Sequence, residues 1–273
     1  MAAGMGPSFA AGFRPICHVQ KWKDNEMTER RILRLRGADN REFLQGLVTN
    51  DIKGIDQGLV YAALLTPQGK YIADFFLKAE GAAILLDAPA ALGDELVQRL
   101  TLYKLRADVQ IEETDLHLHR GLGEAPVDGA PDPRSPALGW RAYRAAPQEE
   151  TEIDWAAVRV AERVPEAGME LTSDSFILEM GFERLKGVDF RKGCYVGQEV
   201  TARMKHKTEL RKGLARVEIK GLAEPGTAIE AGGKPAGTLL TRAGDQALAY
   251  LRFDRAAGDL TAGEAQVSWD GNR

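Results

Sequence analysis

Residues 192–199 read Lys-Gly-Cys-Tyr-Val-Gly-Gln-Glu, which sets one thiol between two glycines and ahead of an amide–carboxylate pair. Gly193 and Gly197 lack a Cβ and permit conformations and close approaches that other residues resist, so the spacing predicts a tight turn that exposes Cys194. Lys192 lies just before the thiol, with Arg191, Arg203, Lys205, His206 and Lys207 nearby in sequence. Positive potential of this kind favours the thiolate, the form that acts as nucleophile, redox partner or metal ligand. Cys194 and Lys192 are therefore the candidate catalytic residues. A small buried cysteine at a glycine-rich turn is the alternative, because free cysteine is among the most buried residue types.

A second group lies at Gly69-Lys70 and Asp74. Strand alternation predicts Lys70, Ile72 and Asp74 on one side, where they face a ligand or simply solvent at an ordinary hairpin. Arg203, Lys205, Lys207, Arg211 and Lys212 suit either a carboxylate-binding lip or a solvated basic linker that also holds His206. His18, His117, His119 and His206 make no metal-ligand set, and the His117-Leu118-His119 spacing is read as two exposed strand histidines. No phosphate-binding loop or dinucleotide fingerprint is present, since Gly121-Leu122-Gly123 lacks the rest of that pattern.

The elements that must position these groups follow from periodicity. Arg31–Arg36 alternates as a half-buried strand, and Gly37-Ala38-Asp39-Asn40 opens a helix carrying Phe43, Leu44 and Leu47. Tyr61–Leu65 and Ile72–Leu77 form a hairpin around Thr66-Pro67-Gln68-Gly69-Lys70, and Ala82–Asp87 continues the sheet. Leu92, Leu96, Val97 and Leu100 stand at helical spacing before a strand at Ala107–Glu113. Residues 121–139, rich in Pro, Gly and Asp, read as a surface excursion or a domain junction without chemistry, and Ile153–Glu162 as a helix. From Leu210 onward, short strands at 213–219, 227–230, 237–240, 247–251 and 265–269 predict a small terminal β-barrel. Strands and helices mix without strict alternation, which predicts an α+β fold.

With 273 residues, 44% hydrophobic and 28% charged, the chain has the composition of a globular protein with a substantial core. A net charge of −4 argues against a surface that coats nucleic acid. Cys17 and Cys194 are the only cysteines, so one chain holds neither a disulfide framework nor the thiols of an iron–sulfur cluster. No apolar run reaches the roughly eighteen residues that would span a bilayer. Residues 1–26 are expected to be an extension upstream of the true start, with no role for Cys17. A targeting peptide is the alternative, since residues 1–23 carry Arg14, Lys21 and Lys23 but no acid.

Lys192–Glu199 followed by Thr201-Ala202-Arg203 resembles the signature of the YgfZ-type folate-binding proteins, relatives of the glycine-cleavage T-protein. Phe43–Asp51, Ala63–Lys70 with Asp74, and Tyr103–Arg106 resemble further family segments in the same order, and the resemblance runs from about Met27 to near the C-terminus. It implies a T-protein-like, multi-lobed α+β fold around a folate-sized central opening: two lobes over residues 27–205 and a barrel over 206–273. It also implies tetrahydrofolate or a derivative as cofactor, with Lys70, Asp74, Arg159, Gln198, Glu199 and Arg203 as its candidate contacts and no resident metal.

Two acidic positions of the T-protein pattern are Ala73 and Ala161 here, which depletes the amine-transfer carboxylates. The function implied is thus a tetrahydrofolate-binding accessory protein for iron–sulfur cluster assembly or repair that uses Cys194. Client iron–sulfur enzymes or cluster-assembly proteins would be its partners. A folate-dependent aminomethyl or one-carbon transferase is the alternative, so enzymatic status stays open. So does a binding module with a structural cysteine. The compartment expected is the cytoplasm, or the mitochondrial matrix if residues 1–26 are a targeting peptide.

Overall fold

In the Val60–Leu65 strand (β2) all six residues are buried, with Tyr61, Ala63 and Leu65 in one apolar core and Val60, Ala62 and Leu64 in another. A strand apolar at every position satisfies two faces at once, which explains why Tyr61–Leu65 lacks polar alternation. The computed structural model describes residues 29–207 and 209–272. The expected extension at 1–26, with Cys17 and His18, lies outside them, as does the side chain of Lys207.

The first sheet comprises β1 (Arg30–Arg36), β2, β3 (Tyr71–Glu80), β4 (Ala83–Pro89) and β5 (Gln110–Glu113), in the order β2-β3-β4-β1-β5. Every pairing in it is antiparallel. Helices α1 (Asn40–Gln45) and α2 (Gly93–Lys104) cover one face, contributing Leu44, Leu96 and Leu100 to the core there. A second sheet, β6 (His117–Gly121), β7 (Ala130–Pro131) and β8 (Trp140–Arg144), is ordered β6-β8-β7. The other face of the first sheet packs on residues of the irregular 162–197 segment, among them Leu171, Ile177 and Phe182.

Six strands close the C-terminal barrel: β9 (Lys212–Lys220), β10 (Ala228–Ala231), β11 (Lys234–Ala243), β12 (Gln246–Arg252), β13 (Leu260–Ala262) and β14 (Ala265–Ser268). Of these, the short β13 is the one that periodicity does not reveal. Leu214 and Leu248 extend from the barrel into the core under β2, so sheet and barrel share apolar packing.

The β2–β3 hairpin departs from simple alternation. Leu64 pairs with Ala73 and Leu65 with Tyr71, leaving Ile72 as an extra residue in a bulge. Ile72 and Ala73 both enter the helix-covered core, whereas Tyr71 and Asp74 share the opposite face and a hydrogen bond. The expectation that Lys70, Ile72 and Asp74 share a face is corrected by this bulge, since one inserted residue reverses the alternation beyond it.

Candidate functional site

Two sequence-distant segments lock the cysteine turn. Thr49 Oγ1 donates to Gly187 O at 2.7 Å and accepts from Ala63 N at 2.9 Å, while Asp189 N donates to Thr49 O at 3.0 Å. Asn50 Nδ2 bridges Tyr61 O and Lys186 O. Lys192 Nζ donates to Gln45 O at 2.7 Å and Val48 O at 2.5 Å. The Phe43–Asp51 segment and the cysteine segment thus hold each other through backbone acceptors.

Burial lowers the Lys192 pKa to about 8, although Asp51 and Asp189 act to raise it. Its ammonium donates to those two carbonyls rather than to the thiol. Cys194 itself is exposed, as the turn predicts.

Gly197 adopts φ +84°, and a Cβ there would meet Thr66 O at 2.7 Å and Gly69 Cα at 3.1 Å. The cysteine turn therefore rests on the tip of the β2–β3 hairpin. Gly193 has no left-handed φ and open space around it, so only one of the two glycines is demanded by geometry. Helix α3 is Trp155–Ala161 and helix α4, Gln198–Lys207, begins directly after the turn. The basic run, read as either a carboxylate-binding lip or a linker, is helical as far as Lys207. Arg203 pairs with Glu199 at 2.6 Å, Lys205 with Glu183, and Lys212 with Glu179 at 3.7 Å.

A cavity opens between the two sheets and α3, enclosing about 590 Å³ with its open mouth. Asp74 lines it and accepts the hydroxyls of Tyr61 at 3.0 Å and Tyr71 at 2.6 Å. Burial, reinforced by Asp74, pushes both phenols well above their ordinary pKa, so both remain donors. Arg30 and Arg141 converge on Asp87 at 2.6 and 2.7 Å. Burial alone would raise the Asp87 pKa, but these two cations hold it below the ordinary carboxylate value. Arg134 pairs with Asp132 at 2.7 Å, its guanidinium 4.7 Å from the centre of the Phe76 ring. Arg159 pairs with Glu166 at 2.8 Å and Glu170 at 3.0 Å.

Arg120 is different. Among the described residues its guanidinium has no ion pair, and it lies 4.2 Å from the centre of the Trp155 ring. Burial, followed by repulsion from Arg141, lowers its pKa to about 10. The cavity therefore has a carboxylate held by two phenols, aromatic walls from Phe76, Trp140 and Trp155, and one guanidinium free to meet an anion.

Of the residues expected to bind a cofactor, Asp74 and Arg159 line this cavity. Lys70 does not, because its Nζ donates to Asp174 O and sits 3.7 Å from the centre of the Phe176 ring. Gln198, Glu199 and Arg203 lie on α4 outside it, as do Lys192 and Cys194 on their turn. The candidate residues thus fall at two places joined by the β2–β3 hairpin.

Residues 121–139, expected to carry no chemistry, supply Asp132 and Arg134 to the cavity. Arg30, Arg120 and Arg141 were also absent from the candidate residues. The Trp140-Arg-Ala-Tyr-Arg144 alternation was a usable signal, since it puts Arg141 and Tyr143 on one face and both reach Asp87. His119 is buried rather than exposed, with Nε2 2.7 Å from Ala146 O. His206 belongs to α4 and meets Phe190 edge-on. Ala73 faces the opposite core, leaving Asp74 without an adjacent carboxylate on its strand.

Lobes, cavity and barrel together define a T-protein-like fold. The structure matches that of the glycine cleavage system aminomethyltransferase T from Bartonella henselae with a TM-score of 0.71, covering 88% of this chain and 82% of that one at 12% identity. Residues 211–271 match the family described as CAF17, C-terminal beta-barrel domain. The iron-sulfur cluster assembly factor IBA57 of Mus musculus, a mitochondrial protein by name, is 30% identical over 88% of this chain and 80% of its own length. The IBA57 homolog of Mycosarcoma maydis is 33% identical over 70% of this chain and 56% of its own length. The chain belongs to the IBA57 family. It spans only about half the length of the two fungal relatives from Mycosarcoma maydis and Pyricularia oryzae, 56% and 54%.

Proposed function

We propose that this protein is a YgfZ-type, tetrahydrofolate-binding accessory factor for iron–sulfur cluster assembly or repair. Its cavity takes the folate, and Cys194 is its reactive thiol, a transient cluster ligand or redox partner. The family supports the cluster-assembly role, and the mitochondrial names of its relatives support the matrix reading over the cytoplasmic one. Folate binding is carried by one observation: a cavity that sets the phenol-held Asp74 carboxylate beside the Arg120 guanidinium, which has no ion pair among the described residues, with aromatic walls between.

In this reading Asp74 accepts from the donor-rich edge of the pteridine, and Phe76, Trp140 and Trp155 flank the rings. Arg120 then meets a carboxylate of the glutamate tail. Cys194 remains accessible to a client or assembly protein while the folate is bound.

Calorimetric titration with tetrahydrofolate, run beside recovery of client-enzyme cluster content in cells, tests both halves. Asp74→Asn and Arg120→Gln should each weaken folate binding about tenfold or more. Cys194→Ser should bind folate normally yet leave client clusters depleted. An absence of folate binding by the wild type removes the cofactor, and full client clusters with Cys194→Ser remove the thiol.

A further inference from the structure

A second pocket lies where the end of α3 meets the barrel, separate from the cavity. It is polar and open-sided, encloses about 380 Å³ with its mouth, and is lined by Arg163, Arg184 and Arg216 together with Glu162 and Asp270. The three guanidiniums come from distant parts of the chain: the residue after the α3 cap, the irregular segment and strand β9. Each donates to backbone carbonyls: Arg163 to Asn272 O, Arg184 to Glu162 O and Arg163 O, and Arg216 to Ala161 O.

Among the described residues none of the three makes an ion pair. The pocket's own carboxylates, Glu162 and Asp270, attract Arg163 without pairing with it, and each accepts one hydrogen bond, from the Ser135 hydroxyl at 2.6 Å and from Asn272 N at 2.9 Å. A guanidinium has five N–H donors, so the one or two used by each arginine leave most of the fork available.

Two further observations describe the cluster, the first being that an arginine occupies the left-handed position after the α3 cap. Arg163 has φ +52°, a left-handed conformation after a helix that glycine or asparagine ordinarily adopts. Burial and then repulsion from Arg216 lower the Arg163 pKa, while burial and then repulsion from Arg163 lower that of Arg184 to about 10. An anion between the guanidiniums would relieve that repulsion.

We propose that this pocket binds a phosphate-class oxyanion held jointly by Arg163, Arg184 and Arg216. A carboxylate has two oxygens and is satisfied by one fork, whereas three forks from three directions match the several oxygens of a tetrahedral dianion. The ion is either free phosphate or the phosphate of a small monoester. This inference is independent of the folate reading.

The test is calorimetry and thermal unfolding with inorganic phosphate, glycerol 3-phosphate and acetate at constant ionic strength. Either phosphate should bind saturably and raise the unfolding midpoint of the wild type, with acetate much weaker. Binding of inorganic phosphate alone assigns the free ion, and tighter glycerol 3-phosphate binding assigns a monoester. Arg184→Gln and Arg216→Gln should each weaken binding about tenfold. Arg163→Gly, which suits the left-handed backbone and keeps the fold, should do the same. If the arginines only cap α3, the variants lower the midpoint but phosphate leaves the wild type unchanged, and the proposal fails. It fails equally if acetate binds as well as phosphate, or if phosphate binding survives in the Arg163→Gly/Arg184→Gln double variant.

Discussion

Lys192 is next to Cys194 in sequence, yet its ammonium is directed at the carbonyls of Gln45 and Val48. Its pKa, near 8 in the folded protein against about 10.5 ordinarily, has a measurable consequence. Between those two pH values the unfolded chain binds more protons than the native one, so stability rises with pH through that window. Below about pH 8 the cost of burying the charge is fully present. Urea unfolding should show the wild type gaining on the order of 2 kcal/mol from pH 8 to 10.5 relative to Lys192→Met. Equal slopes for the two proteins would mean that Lys192 is not depressed. The Met variant should also be less stable at every pH by about 1–3 kcal/mol, because two carbonyls lose their donor.

Among the elements, the β2–β3 hairpin links the two halves of the proposed site. Its β3 strand carries Asp74 into the cavity, and its tip receives Gly197 of the cysteine turn. Gly197→Ala combines a left-handed φ with a Cβ 2.7 Å from Thr66 O, so it should destabilise the protein by about 2–4 kcal/mol. Gly193→Ala, in open space, should change stability by less than about 0.5 kcal/mol. Denaturant unfolding of the pair measures the difference directly. Both glycines look equivalent in Lys-Gly-Cys-Tyr-Val-Gly-Gln-Glu, and only their neighbours in space separate them. The bulge at Ile72 was hidden for a related reason: apolar residues on both sides of the inserted position leave no alternation to break.

Over the whole molecule, the barrel braces a residue of the cavity's wall. Thr241, on β11, donates to Glu170 and lies 3.4 Å from Arg159 Nη2, so a barrel hydroxyl completes the network around the Arg159 guanidinium. Thr241→Val should cost about 1–3 kcal/mol by leaving buried Glu170 short of a donor. It should also weaken tetrahydrofolate binding severalfold by calorimetry, with Thr241→Ser restoring both. A variant that loses stability but keeps full folate affinity would separate the barrel from the cavity.

What the amino-acid sequence determined alone was whatever depends on near neighbours. Alternation and turn residues marked five of the six barrel strands and the β2–β3 hairpin, and glycine spacing marked an exposed cysteine turn. Composition excluded a disulfide framework and a bilayer-spanning helix. Tertiary structure decided which charges meet. Arg30, Asp74, Arg120, Asp132, Arg141 and Arg159 are spread over about half the chain, and periodicity gives the face of a side chain but not the partner opposite it. The destination of Lys192, the lack of an ion pair at Arg120 among the described residues and the separation of Cys194 from the cavity all rest on such distant packing, because an ion pair or a burial is a property of two segments brought together.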